Sequence, residues 1–256
     1  MKLNNKRILI ARPMQQADHL SNMITDAGGI SIKFPTVEIQ SLRRTNKLKE
    51  YFNKIGSYDF IIFISRNAVE ITIKKFVRNI NLIRDVQLVA IGPSTAKALY
   101  NSNLKNIIFP RDNVDTEGLL SQKEMKRNKI VDQRILIIRG VGGRELLAES
   151  LKKRGAIVDC IEIYKRKLPR YKENEINKAW HDNNPDAVVI TSNEVLNNLI
   201  ILIKNDTESL FMTPLVAISE RVAEYARKRG IVSKISVVRE KSDDGIFSAL
   251  HELFED

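Results

Sequence analysis

The stretch Arg7-Ile8-Leu9-Ile10 recurs as Arg134-Ile135-Leu136-Ile137, so the same four residue types return 127 positions later. The same offset links other identical residues along the chain: Arg12 and Arg139, Gly28 and Gly155, Asp59 and Asp186, Ser65 and Ser192, Gly118 and Gly245. One repeat of domain length, far longer than the period of a solenoid array, indicates two copies of one unit. Two like domains create a cleft between them, and clefts between domains are where small molecules bind.

Each copy alternates short β-branched runs with amphipathic segments that have helical spacing. The predicted strands are 7–11, 30–38, 60–64, 87–91 and 107–109 in the first copy, and 134–138, 157–164, 187–191, 215–218 and 235–238 in the second. Strands that are apolar on both faces and alternate with helices predict an α/β fold with parallel sheets covered on both sides. Five strands in each copy predict flavodoxin-like, doubly wound domains related by internal duplication.

Two layouts fit the duplication. In the first, two domains follow one another and divide near Asn128. In the second, the chain crosses between domains through the equivalent basic, polar segments 36–47 and 163–172, so that one domain holds both termini. The patterns alone leave both layouts open.

Composition limits the environment and the partners. A single cysteine, Cys160, excludes an internal disulfide and fits a reducing compartment. The first residues lack the pattern of a signal peptide, and no apolar run is as long as a membrane span, so we expect a cytoplasmic protein with no membrane partner. The net charge of +11 is compatible with nucleic acid or with a polyanionic small molecule, and decides nothing alone.

Small and hydroxyl residues follow several predicted strands. In a parallel sheet these positions share one edge, where helix N-termini present unpaired N–H groups to ligands. The residues concerned are Ser65, Asn67, Gly92, Ser94, Thr95, Ser192, Asn193 and Ser219. They predict either helix N-caps, which serine, threonine and asparagine favour, or contacts to an anionic ligand such as a polycarboxylate.

Motifs for metals, nucleotides and nucleophilic catalysis are missing. The glycine-rich turn at Gly140 lacks the third glycine of a dinucleotide site, and the three histidines have no ligand spacing. We therefore expect neither a histidine metal site nor a dinucleotide site. Tyr164 ends a predicted strand, and it is either an ordinary strand-end aromatic or a phenol that faces the cleft and donates a proton or hydrogen bond.

Several segments together resemble the uroporphyrinogen-III synthase family over almost the whole chain and in the same order. They are Arg12-Pro13, Phe63-Ile64-Ser65-Arg66-Asn67-Ala68-Val69, Ala90-Ile91-Gly92-Pro93-Ser94-Thr95-Ala96, Arg139-Gly140, Gly143-Arg144-Glu145-Leu146, and Ile163-Tyr164-Lys165-Arg166 followed by Pro169. The resemblance implies two flavodoxin-like domains joined by two extended connectors. One domain would hold 1–37 and 169–256, the other 42–163, with connectors at 38–41 and 164–168.

The resemblance also implies an activity: cyclisation and dehydration of hydroxymethylbilane, a linear tetrapyrrole octacarboxylate, with inversion of ring D through a spiro intermediate, by a monomer without cofactors. Tyr164 would be catalytic, assisting departure of the hydroxyl group. The implied substrate-binding residues are Arg12, Ser65, Asn67, Gly92, Ser94, Thr95, Arg139, Gly140, Ser192, Asn193 and Ser219. The alternative is a non-enzymatic two-domain binder of a polyanionic small ligand. A nucleic-acid binder is disfavoured because the basic triplets near 153 and 228 lack stacking aromatics.

Overall fold

The computed structural model describes residues 2–77, 80–143 and 145–255. Its strands are β1 Arg7–Ile10, β2 Ile30–Lys33, β3 Glu38–Ser41, β4 Phe60–Phe63, β5 Gln87–Ala90, β6 Arg134–Gly140, β7 Ile157–Lys167, β8 Ala187–Ile190, β9 Leu215–Ala217 and β10 Ile235–Val237. Its α-helices are α1 Met14–Asp26, α2 Asn46–Asn53, α3 Arg66–Ile71, α4 Pro93–Asn101, α5 Thr116–Ser121, α6 Arg127–Ile130, α7 Leu146–Lys153, α8 Glu173–Asn177, α9 Asn193–Leu202, α10 Thr207–Met212, α11 Glu220–Lys228 and α12 Asp243–Phe254. Shorter 3₁₀ and π turns are Ile55–Ser57, Thr72–Phe76, Ile80–Ile83, Lys123–Met125 and Lys178–Asp182.

The chain forms two compact units. The terminal unit comprises Met1–Glu38 and Lys167–Asp256, and the middle unit comprises Ile39–Arg166. Strands of the described residues form one sheet in each unit, in the orders β10-β9-β8-β1-β2 and β3-β7-β6-β4-β5. The fold class is therefore α/β with two largely parallel sheets, as the strand and helix pattern predicts.

The terminal sheet has the flavodoxin strand order. β1 pairs in parallel with both β2 and β8, and β9 joins β8 to β10, so the chain first adds a strand on one side of β1 and then continues on the other. The order reverses between β1 and β8. In open parallel sheets ligands bind beyond the carboxyl ends of the strands at such a reversal. Residues that follow β1 and β8 thus stand where this fold places ligands.

The middle sheet reverses in the same way between β6 and β4. β6 pairs in parallel with β7 and with β4, and β4 pairs in parallel with β5. Buried side chains alternate between the two faces of β4: Ile61 and Phe63 belong to one apolar cluster, and Ile62 belongs to the other. The sheet is therefore covered on both faces, as the apolar strands predict.

One apolar cluster of the terminal unit lies between its sheet and two helices. Ile8 and Ile10 of β1 belong to the cluster with residues of α1 and α12, the first and last helices of the described chain. The contributing helix residues are Ala17, Leu20, Ile24, Ile246, Ala249, Leu250 and Leu253. This packing places α12 against α1 and the same sheet as β1, although α1 and α12 are more than 200 residues apart in sequence.

The predicted strand 30–38 is two strands. β2 ends at Lys33 and β3 begins at Glu38, with Pro35 between them. Proline has no N–H to donate to a strand ladder, which explains the break. The next residue, Thr36, is fully buried, and its backbone N–H donates to the Ala11 carbonyl at 2.8 Å. Its hydroxyl lies 3.1 Å from the Ala11 oxygen and 3.0 Å from the Val195 oxygen.

The segments predicted as connectors are extended in the structure, and both lie in strands. Residues 38–41 form β3, and residues 164–167 continue β7, which begins at Ile157. The predicted strand 107–109 is reduced to a single bridge between Val89 and Ile108. Asn106 before it has a left-handed φ of 54°, and Pro110 follows it, so a longer ladder cannot form.

No described helix has both the length and the apolar character needed to cross a lipid bilayer.

Candidate active site

Tyr164 and Ser65 are hydrogen-bonded in the middle unit. The Tyr164 phenol oxygen lies 2.9 Å from Ser65 Oγ, and the Tyr164 residue is only 4% exposed. Ser65 is the N-cap of α3, and its Oγ accepts from the Ala68 N–H at 3.1 Å. This second bond fixes the serine hydroxyl, which therefore holds the phenol at the start of a helix. The sequence predicted both residues as site residues but did not indicate their contact.

Gly140 packs directly against the Tyr164 ring. The two residues are register partners of β6 and β7 at an irregularity of the ladder, and the Val141 N–H donates to the Tyr164 carbonyl at 2.8 Å. A Cβ at residue 140 would lie 2.7 Å from Tyr164 Cζ and 3.0 Å from the phenol oxygen. Real Cβ atoms do not approach other atoms so closely, so only glycine leaves room for the ring. The structure thus gives Gly140 a contact with Tyr164.

Arg139 is engaged by acidic residues of its own unit. Its Nη2 donates to Glu145 Oε1 at 2.5 Å and lies 3.7 Å from Glu162 Oε1, while its Nη1 donates to the Gly143 carbonyl at 3.2 Å. The Glu145 hydrogen bond raises the pKa of Arg139 above its ordinary value. Its charge is therefore balanced locally, which reduces what it offers to an anionic ligand. Arg144, part of the family-like motif, lies outside the described residues.

The turn that follows β6 depends on glycine at one further position. Gly142 has a left-handed φ of 75°, and its N–H donates to Glu162 Oε1 at 3.2 Å. Glu162 and Arg139 also line a cavity of about 570 Å³, together with Leu42, Arg43, Thr45, Lys47, Leu48 and Tyr51 of the same unit. A second cavity of about 270 Å³ lies at the carboxyl ends of β4, β5 and β6 and is lined by Ile64, Ile91 and Arg139 among others.

The remaining predicted residues of the middle unit differ in burial. Gly92 is the N-cap of α4, and a Cβ there would lie 2.1 Å from a Val114 methyl group, so any larger residue would require the Val114 side chain to move. Ser94 is exposed at the first turn of α4. Thr95 is only 1% exposed and Asn67 only 9% exposed. A ligand reaches the Thr95 side chain only if its neighbours move.

In the terminal unit, Arg12 is ion-paired with an acid that the sequence did not indicate. Arg12 follows β1 and is 6% exposed, and its Nη1 donates to Asp243 Oδ1 at 2.6 Å. His19 Nδ1–H donates to the other carboxylate oxygen at 2.9 Å. Burial raises the pKa of Asp243, but the hydrogen bonds and charges of Arg12 and His19 outweigh it and hold this pKa below its ordinary value.

Ser192 and Ser219 begin helices at the carboxyl ends of β8 and β9. Ser192 caps α9, with its Oγ accepting from the Val195 N–H at 3.2 Å, and its backbone angles match those of Ser65 in the middle unit. Ser219 occupies the N-cap of α11 without a capping hydrogen bond from its side chain. Asn193 Oδ1 is buried without a hydrogen-bond partner among the described residues. Serine is an N-cap at each of these positions, as one of the two interpretations of the sequence holds.

The predicted residues thus form two groups. Ser65, Gly140 and Tyr164 contact one another in the middle unit. Arg12, with Asp243, belongs to the terminal unit, where Ser192, Asn193 and Ser219 follow neighbouring strands. Asp243 and His19 are the residues that sequence reasoning missed. The local signal was the cap Ser242, which accepts from the Gly245 N–H at 3.0 Å and marks the start of α12.

Comparison with known proteins identifies the family. The family model described as uroporphyrinogen-III synthase HemD matches residues 18–245. Uroporphyrinogen-III synthase of Escherichia coli (strain K12) is 30% identical over 246 residues, 95% of this chain and 99% of that protein. The enzyme of the same name from Salmonella typhimurium (strain LT2) is 32% identical over 246 residues, with the same two coverages of 95% and 99%.

A solved structure has the same fold. The crystal structure of uroporphyrinogen-III synthetase from Helicobacter pylori 26695 matches with a TM-score of 0.65 at 16% identity, covering 97% of this chain and 99% of that one. At this identity the likeness concerns the fold alone. The family match and the two sequence relatives extend over most of the chain. The chain therefore belongs to the uroporphyrinogen-III synthase family.

Proposed function

We propose that this protein converts hydroxymethylbilane to uroporphyrinogen III, closing the macrocycle with loss of water and inversion of ring D through a spiro intermediate. Family membership supports the reaction. The structural observation that carries the proposal is the partly buried hydrogen bond of 2.9 Å between Tyr164 and Ser65, at the carboxyl edge of the middle sheet. A phenol held there is suited to assist a leaving hydroxyl group.

The direction of this hydrogen bond determines what Tyr164 offers. Ser65 Oγ already accepts from the Ala68 N–H, and it retains its own proton. When Ser65 donates to the phenol oxygen, the Tyr164 proton is left for another acceptor. We propose that this acceptor is the departing hydroxyl group of the substrate, whose loss gives an electrophilic azafulvene. Proton donation of this kind contributes to rate but does not select the isomer.

Selection of the isomer is proposed to come from positioning. Spontaneous closure of hydroxymethylbilane gives the uninverted macrocycle, so the enzyme must favour attack at the substituted carbon of ring D. Holding a flexible substrate in a near-attack geometry can supply several kcal/mol of barrier difference. The reaction proposed here uses neither a metal nor an organic cofactor, because the leaving group departs with proton assistance alone.

The ligand is proposed to be held through its eight carboxylates. Candidate contacts are Arg12, Ser65, Asn67, Gly92, Ser94, Thr95, Arg139, Gly140, Ser192, Asn193 and Ser219. Helix N-termini favour anions through their N–H groups and the helix dipole, which supports the serines that begin α9 and α11. The net charge of +11 favours the approach of a polyanion. We further propose a monomer that works in the cytosol.

The test is a product assay. Purified protein is added to freshly generated hydroxymethylbilane, the products are oxidised to porphyrins, and the two isomers are separated by chromatography. We expect the inverted isomer, at a rate proportional to protein concentration. Only the uninverted isomer, formed at the rate of the protein-free control, would refute the enzyme. Saturable binding of uroporphyrin without such turnover would instead support the non-enzymatic polyanion binder.

A further inference from the structure

Among the described residues, the Arg12 guanidinium has partners on one edge and none on the other. Its Nη1 donates to Asp243 at 2.6 Å. Its Nε and Nη2 atoms are buried and have no hydrogen-bond acceptor among the described residues. The side chain is 8% exposed, so it is largely shielded from bulk solvent. Buried N–H groups without an acceptor destabilise the folded protein, and a positively charged group more than a neutral one.

The unpartnered edge has a definite chemical preference. Nε and Nη2 of an arginine present two parallel N–H donors, and this fork matches the two oxygens of a carboxylate. Arg12 follows β1 at the carboxyl edge of the terminal sheet, beside the point where the strand order reverses. Both the donor geometry and the position in the fold therefore favour a carboxylate ligand.

Asp243 is itself fixed from three sides. It is the first residue of α12, where the helix dipole favours a negative charge. The preceding Ser242 caps the helix, and His19 Nδ1–H donates to the carboxylate oxygen that Arg12 does not use. Apolar packing of α12 against α1 and the sheet holds the helix in place. Asp243 can therefore fix the orientation of Arg12.

We propose that Asp243 is a positioning residue, which holds Arg12 by Nη1 so that the Nε and Nη2 edge binds one carboxylate of the linear tetrapyrrole. The inference rests on the proposed function, and it assigns Asp243 a role that the sequence did not indicate. A carboxylate reaches the edge only when the side chains that cover it move aside. Asp243 does not touch the ligand and acts through Arg12.

Two other roles of Asp243 predict different effects of removing its side chain. If Asp243 instead occupied Arg12 as a substitute for a substrate carboxylate, removing it would improve substrate binding. If Asp243 only stabilised the fold, removing it would lower the melting temperature without a selective change in KM. The direction of the KM change and its dependence on Arg12 therefore distinguish the three roles.

The experiment is a double-mutant cycle on hydroxymethylbilane turnover. The variants are Asp243→Ala, Arg12→Lys and the two combined. Arg12→Lys keeps the charge but lacks the two-donor edge. We expect Asp243→Ala to raise KM about tenfold, equivalent to about 1.4 kcal/mol, with kcat changed less than about twofold. In the Arg12→Lys background the same substitution should change KM less than about twofold, because residues that act as one unit are not additive.

The matched control is Asp18→Ala. Asp18 also pairs with a basic residue of the terminal unit, Lys33 at 2.6 Å, but it is 67% exposed and makes no hydrogen bond or ion pair with Arg12 or Asp243 among the described residues. We expect it to leave KM unchanged. Asp243→Asn, which keeps an acceptor oxygen for Arg12, replaces Asp243→Ala if the latter does not fold, and should raise KM less.

Three results would overturn the inference: a lower KM in Asp243→Ala, an undiminished KM increase in the Arg12→Lys background, or a lower melting temperature with KM unchanged. Failure of the proposed function is separate, because wild-type protein would then yield no inverted isomer.

Discussion

Replacing Gly140 by alanine tests how closely Tyr164 must be held. The added Cβ would lie 2.7 Å from Tyr164 Cζ, 2.8 Å from Cε2 and 3.0 Å from the phenol oxygen. Non-bonded carbon atoms prefer a separation of about 3.5–4.0 Å. The ring must therefore retreat by about 0.8 Å or more. Because Tyr164 is only 4% exposed, the side chains around its ring must move with it.

The displacement has a cost in stability and a cost in activity. Forcing an extra methyl group into a packed interior typically lowers the free energy of unfolding by about 1–3 kcal/mol. A retreating ring also lengthens or breaks the 2.9 Å bond to Ser65, so the phenol no longer points where that bond directs it. A misplacement of about 1 Å in a catalytic geometry can reduce turnover about 100-fold. We therefore expect Gly140→Ala to fold and to turn over more slowly.

The assay combines urea unfolding with the rate of formation of the inverted isomer, for Gly140→Ala, Tyr164→Phe and the double variant. Tyr164→Phe keeps the ring but removes the phenol oxygen. In that background Gly140→Ala should still lower stability, because the ring atoms still clash, but should change turnover less than about twofold. Gly56→Ala is the control, since its Cβ would lie 2.7 Å from the Leu82 carbonyl oxygen, away from Tyr164. Gly56→Ala should lower the free energy of unfolding and leave turnover unchanged.

Wild-type turnover in a folded Gly140→Ala protein would refute this reasoning. So would a loss of turnover that is equally large in the presence and absence of the phenol oxygen.

Three further predictions concern stability and reactivity. Asp243→Asn should lower the free energy of unfolding at neutral pH. Because the pKa of Asp243 is depressed in the folded protein, the difference in stability from wild type should shrink as pH falls below about 4. A difference in urea unfolding that does not change with pH would contradict this. Thr36→Val should lower the free energy of unfolding by about 1 kcal/mol, since it removes a buried hydroxyl that donates to the Ala11 or Val195 carbonyl while the Ala11 carbonyl keeps the Thr36 N–H; unchanged stability in thermal or urea unfolding would argue that the hydroxyl contributes nothing. Burial raises the pKa of the Cys160 thiol, so a disulfide reagent at pH about 8 should label the native protein much more slowly than the urea-unfolded protein, and equal rates would disprove the shift.

Most strands and helices could be predicted from patterns among neighbouring residues in the sequence. The apolar runs of β1, β4 and β8 are short, β-branched and closely followed by polar residues, which is sufficient to predict parallel strands and the edge where the candidate site residues lie. Ser65 and Ser192 cap their helices because serine oxygen accepts from an N–H three residues ahead, a contact within a single turn of chain. Such interactions depend only on neighbouring residues, so the sequence expresses them directly.

Contacts between distant residues were not predictable in the same way. Arg12 and Asp243 are 231 positions apart, and the packing of α12 against α1 and the terminal sheet brings them together. The tight contact of Gly140 with Tyr164 depends on the register of β6 against β7, including an irregularity at that point. Pro35 shows the opposite case: its missing N–H divides a predicted strand, and this break could have been predicted from the residue alone.

The most direct measurement is the isomer ratio produced by Tyr164→Phe. The central claim is that the protein selects the product by holding a flexible polyanion in one geometry, and that Tyr164 only assists departure of the leaving group. The variant should therefore form the macrocycle more slowly than wild type but still with ring D inverted. Loss of the inverted isomer in a folded Tyr164→Phe protein, leaving only uninverted product at the spontaneous rate, would contradict the claim.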